Sequence, residues 1–236
     1  MKRTVLCSIL FLVIGFAVGI FYATQFDVPS GSIVPSSITM ASVTVPSSQS
    51  IAPATASSAA AGSSSFQQER NTLLLAQATE VTQILNRHDY EALASCIHPD
   101  KGVTFTPYAT VDPDRDLCFT AAQVSSLETN RHTYVWGTDV TTGSPIELTM
   151  QDYFARYVCN ADYSQAPQIG IDSVIATGNA LENVAAAFPD GRFVEFYYPG
   201  LNSNKEGYDW CALKLVFEAK DEQWYLVGII HSEWTA

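Results

Sequence analysis

Positive charge is scarce in this 236-residue chain. Twelve Lys and Arg stand against 24 Asp and Glu, for a formal net charge of −12. A surface so anionic repels phosphate backbones and anionic headgroups within a Debye length, which argues against nucleic-acid binding. Catalytic signatures are missing too: no G-x-S-x-G, S-x-x-K, H-E-x-x-H, P-loop, G-x-G-x-x-G or EF-hand spacing occurs. The common secreted hydrolases and nucleotide-binding enzymes lose their support. Cysteine is sparse and oddly spaced. With no C-x-x-C and no Cys/His cluster, Cys96, Cys118, Cys159 and Cys211 match no zinc pattern, so neither a metal nor a cofactor is expected. Outside the cytoplasm these four permit disulfides in three connectivities, with buried free thiols as the alternative.

Charge is absent altogether from two N-terminal stretches. Residues 4–23 hold 20 uncharged, mostly apolar residues behind Lys2 and Arg3. As a helix they would span about 30 Å, the thickness of a hydrocarbon core. No other Lys or Arg appears before Arg70, so the positive-inside rule puts the N-terminus in the cytoplasm and the remainder outside. Ala17-Val18-Gly19 offers a small-x-small cleavage site, but the apolar run continues through it. The expectation is a retained single-pass signal-anchor over 1–23. Residues 28–65 then carry no charge and are rich in Ser, Thr, Ala and Pro. Such a composition cannot offset the entropy of ordering, and a disordered linker is expected over 24–65.

What remains, 66–236, is long enough for one domain. Residues 67–85 place Leu73, Leu74, Leu75, Ala78, Val81, Ile84 and Leu85 close to an i, i+3, i+4, i+7 stripe, which predicts an amphipathic helix. Asp89 can cap a second short helix ending near Cys96. A strand is expected from Val103, and Thr120-Ala-Ala-Gln123 has the form of a capping box. Another strand is expected at 133–136, and a helix capped by Thr149 runs to about Cys159. The last third reads as strands: 193–198, then 210–219 and 224–230 around the Lys220-Asp-Glu-Gln223 turn. Helices first and an antiparallel sheet last make an α+β order.

The segments HDYEALASCIHPDKGVTFTPYATV, PIELTMQDYFARYV and WCALKLVFEAKDEQWYLVGIIHSEWT resemble an uncharacterised family of bacterial extracytoplasmic domains. More loosely, their arrangement is similar to the nuclear transport factor 2-like (SnoaL-like) cone, in which a helix packs into a curved antiparallel sheet. The first resemblance implies a bacterial cell-envelope location and no activity. The second implies a pocket, on a fold that hosts enzymes and binding modules alike.

Candidate chemistry is thin. His231 and Glu233 fall on one side of an extended chain, so His231 could act as a general base or form a plain hydrogen-bonded pair. His98 sits at a helix end and reads as a cap, while His88 and His132 read as surface. Glu195 shares a strand face with Phe193 and Tyr197; turned inward it needs a partner, turned outward it is solvated. Tyr108, Trp136, Tyr153, Tyr157 and Tyr197 could line a pocket or simply fill the core. Two functions follow. One is a membrane-anchored, non-catalytic module binding an envelope protein, a glycan or a small apolar ligand. The other is a small cone-fold enzyme using His231 with an acid such as Glu195. They part on whether those two side chains converge.

Overall fold

The first helix, α1 (Ala56–Asn86), buries most of the predicted stripe, though Leu73 faces solvent, and begins ten residues before the expected linker boundary. Alanine is the best helix former, and Ala56, Ala59, Ala60 and Ala61 extend the helix backward through sequence that reads as low-complexity. The computed structural model describes residues 56–235, with side chains from Ser65. The expected signal-anchor and the linker up to residue 55 lie outside the described residues. Among those described, no helix is long and apolar enough to cross a membrane.

Local signals work as their chemistry requires. Asp89 accepts a hydrogen bond from the Ala92 N–H at 3.0 Å and starts α2 (Tyr90–Cys96). Strands β1 (Val103–Thr106) and β2 (Leu117–Phe119) follow. Thr120 and Gln123 form the capping box of α3 (Ala121–Ser125). A two-stranded sheet comes next, from β3 (Thr133–Thr138) and β4 (Pro145–Thr149). Thr149 caps α4 (Met150–Tyr153), whose continuation, Phe154–Val158, is a π-helical turn. Beyond it lie β5 (Gln168–Ile171), α5 (Val184–Ala187), β6 (Arg192–Tyr198), β7 (Cys211–Lys220) and β8 (Gln223–Glu233). Asp221 and Glu222 have φ of +50° and +65°, the pair of left-handed residues that a two-residue hairpin turn needs.

The main sheet has the order β2-β1-β8-β7-β6-β5. It is mixed rather than the expected antiparallel sheet, because β1 runs parallel to β8. Both faces are covered. On the inner face Leu74, Ala78, Val81 and Ile84 of α1 join one core with Phe196, Leu213, Leu215 and Ile229. Each buried Leu, Val, Ile or Phe among them stabilises by about 1.5–3 kcal/mol before chain entropy is counted. On the outer face Val216, Val227, Ile230 and Phe193 pack with Val184, Val174 and Phe188. The segment 172–188 is therefore a strap across the back of the sheet. Gly228 is what lets it lie close: a Cβ there would sit 2.9 Å from the Phe188 ring.

Candidate functional site

Strand register decides the fate of the proposed His231–Glu195 pair. Cross-strand partners share a face and neighbours along a strand alternate. His231 pairs with Leu213, and Leu213 with Phe196, all on the inner face. Glu195 pairs with Lys214, and Lys214 with Ile230, all on the outer face. The two side chains point to opposite sides of the sheet, and as an acid–base pair they are excluded.

Each is buried in a separate polar arrangement. His231 is 1% exposed. Its Nδ1 lies 3.1 Å from the Pro107 carbonyl, which can only accept, so Nδ1 carries the proton and Nε2 is an acceptor. Nε2 lies 3.4 Å from the Asn160 amide nitrogen, which donates to it. Burial lowers the imidazole pKa to about 4, overriding the opposing pull of Glu233. Glu233 itself is taken by Arg156, which grips it through two nitrogens at 2.7 and 3.1 Å. A neutral ring sealed in this way orients Asn160 and is not an available base.

Glu195 is fully buried, and burial raises its pKa despite the Lys214 ammonium. Its Oε2 accepts from the Ile175 N–H of the strap at 2.5 Å, while Oε1 lies 3.5 Å from Lys214 Nζ and has no hydrogen-bond donor. Lys214 Nζ also donates to Ser232 Oγ at 3.1 Å and pairs with Glu182 of the strap at 2.7 Å, at an angle outside hydrogen-bond geometry. The reading of Glu195 as a solvated strand residue is thus corrected. A mid-strand lysine on a face shared with Val216 was the sequence signal for its partner.

The aromatics chosen as pocket candidates touch one another. Trp136 and Tyr153 stack with centroids 3.7 Å apart, Tyr153 and Tyr157 follow at 5.1 Å, and Tyr108 meets Tyr157 at 6.3 Å. Tyr197 lies on the other face against Trp210. Four of the five therefore build the inner core and its rim, and the fifth is remote. His98 does not cap a helix: its Nδ1 accepts from the Asp100 and Lys101 N–H groups and caps a turn. His88 and His132 are exposed, as expected.

Of the two alternatives open for the cysteines, free thiols are the one seen. Cys96, Cys118, Cys159 and Cys211 are all free. They sit on α2, β2, the end of the π-turn and β7, and three donate to nearby carbonyls instead: Cys96 to Ala92, Cys118 to Lys101 and Cys159 to Leu85. Burial pushes the Cys96 and Cys159 thiols up to about 11, so both stay protonated and unreactive at neutral pH.

What the fold does open is a cleft of about 270 Å³ where α1 ends above the turn after the π-helical segment. Thr82, Asn86 and His88 supply one wall; Cys159, Asn160 and Asp162 supply the other. Asn160 is fixed from both ends, since Tyr163 Oη donates to its carbonyl at 3.0 Å while its amide faces His231. The last carbonyls of α1 carry the negative end of the helix dipole toward this region. Among the described residues no Lys or Arg lines the cleft, and Asp162 is its one carboxylate. Asn160, Asp162 and Tyr163 escaped sequence reasoning because Asn-Ala-Asp-Tyr-Ser reads as an ordinary turn. Among the described residues no group of three His, Cys, Asp or Glu could hold a metal.

No protein-family model and no curated protein matches the chain. Among solved structures, it is similar to a DUF4783 family protein from Bacteroides ovatus, at 8% identity and a TM-score of 0.31 over 66% of this chain and 94% of that one. So distant a likeness leaves the functional argument to the chain's own residues, and it shows no link to the nuclear transport factor 2-like cone.

Proposed function

We propose that the chain is a membrane-tethered module presenting a non-catalytic binding domain outside the cytoplasm, and that the cleft below α1 takes a small neutral or cationic ligand rich in hydrogen-bonding groups, such as a sugar or an amine. The composition of the cleft wall carries this reading: amides, hydroxyls, the His88 imidazole and one carboxylate, with no Lys or Arg among the described residues to hold an anion. Pre-oriented polar groups of this kind give specificity without chemistry, and the sealed His231 serves that orientation. The tethered location rests on the apolar run of residues 4–23 behind Lys2 and Arg3. The small apolar ligand expected from the aromatic set has no support, since those rings are packed against each other. An enzyme built on His231 and Glu195 has none either.

Thermal unfolding of the full chain across hexoses, amino sugars and short amines tests the proposal. A ligand that binds only the folded state raises Tm. The expected result is a rise with at least one class, reduced by both Asn160→Leu and Asp162→Asn. A panel that moves Tm nowhere, or a shift that survives both substitutions, overturns it.

A further inference from the structure

A second surface, away from the cleft, lies between the middle of α1 and the β7–β8 turn. Two adjoining hollows of about 310 and 400 Å³ share Leu73, Glu222 and Trp224, and so form one trough. One end of its floor is apolar and open to solvent, with Phe66 and Leu73 56% and 57% exposed although neighbouring Leu74 is fully buried, while Gln77, Glu80, Ser95 and Gln223 make the other end polar. Phe66, Arg70, Leu73 and Gln77 stand at i, i+4, i+7 and i+11 on α1, a stripe about 16 Å long. The Arg70 guanidinium lies 5.8 Å from the Phe66 ring centroid and 5.3 Å from that of Trp224. Among the described residues, the one cation lining the trough is thus held over aromatic faces and has no carboxylate partner.

The rim has the opposite character. Glu80 and Glu222 line the trough, and neither has an ion-pair partner among the described residues. Nearby, Glu218 of the same hairpin pairs with Lys101, and Lys220 with Asp100. A trough of helical length with exposed apolar side chains at one end and unpaired carboxylates on its rim is complementary to a helix with one apolar face and flanking Lys or Arg. The acidity of the domain disfavours an anionic membrane or an acidic partner on the same floor.

We propose that this trough docks a basic amphipathic helix of a partner protein, about three turns long. The apolar face of that helix rests on Phe66, Leu73 and Trp224, and its basic side chains meet Glu80 and Glu222. The site and partner are distinct from those of the cleft.

The test uses the full chain in neutral phosphatidylcholine nanodiscs, with empty discs subtracted. The probes are a Leu/Lys amphipathic peptide of about three helical turns and its Leu/Glu counterpart. Calorimetry is expected to show binding of the first and none of the second. Leu73→Asp, at an exposed position, should leave the melting curve in place and weaken binding about tenfold or more. Glu80→Gln with Glu222→Gln should weaken it about fivefold, and raised salt should act in the same direction. The proposal is overturned if the Leu/Lys peptide does not bind, if the Leu/Glu peptide binds equally, or if Leu73→Asp changes nothing. It is equally overturned if light scattering finds a dimer that Leu73→Asp abolishes, or if the chain adsorbs to anionic vesicles through Trp224.

Discussion

At the scale of single residues, the His231 ring lies between the Pro107 carbonyl and the Asn160 amide, with Tyr157 at 5.4 Å. Protonating it there would place a charge where no water reaches. Its folded pKa of about 4 lies below the roughly 6.5 of an exposed imidazole. Between those values the unfolded chain binds a proton that the folded chain refuses. The stability tied to the neutral ring is therefore complete above about pH 6.5 and is lost as pH falls toward 4, about 3 kcal/mol in all. Asp116 works the other way. Burial raises its carboxyl to about 6, so protonation there favours the folded state as pH falls. The total pH profile mixes the two, and a difference separates them. Urea unfolding of the wild type and of His231→Gln from pH 7.5 to 4 should show a stability gap that narrows with acid by up to about 3 kcal/mol. A gap that stays constant would mean that the ring is not held neutral by burial.

At the scale of elements, the strap 172–188 is fastened by polar contacts as well as by its apolar ones. Glu182 and Ile175 reach Lys214 and Glu195, and Asn183 exchanges two hydrogen bonds with the Val111 backbone at 2.8 and 2.9 Å. Removing one member of a buried ion pair leaves the other uncompensated, which costs about 3–5 kcal/mol, while replacing the pair by apolar groups is often nearly neutral. Lys214→Met alone should therefore destabilise strongly, and Lys214→Met combined with Glu195→Leu should recover at least about 1 kcal/mol of that loss. Strict additivity in denaturant melts would show that the contact carries no coupling. The strap is also where the sequence was least readable. Residues 172–188 have neither helical nor strand periodicity, because their form is dictated by the sheet beneath them. Helix α1, the Asp89 and Thr120 caps and the β7–β8 hairpin were legible because their signals lie within a few residues. Strands β2, β4 and β5 were not, being three to five residues long and defined by partners far along the chain. The cleft failed for the same reason. Asn160 acquires its meaning only when the end of α1 and His231 arrive beside it.

At the scale of the whole molecule, two cores share one sheet, and the middle of that sheet is occupied by the last strand of the chain. β8 lies between β1 and β7, and its pairing joins Thr104 to Gly228, residues 124 apart in sequence. The consequence is one of timing. Loop closure over such a separation must be met before the parallel pairing returns anything, so refolding belongs on a scale of milliseconds to seconds rather than microseconds. A chain stopped at Glu222 would retain β5, β6 and β7 on one side and β1 and β2 on the other, with nothing to join them. Such a truncation should show no cooperative melt, and a cooperative one would refute the dependence. During synthesis the sheet stays open until the eleven residues of β8 have emerged, so the two halves it joins wait on it as separate, unsealed edges.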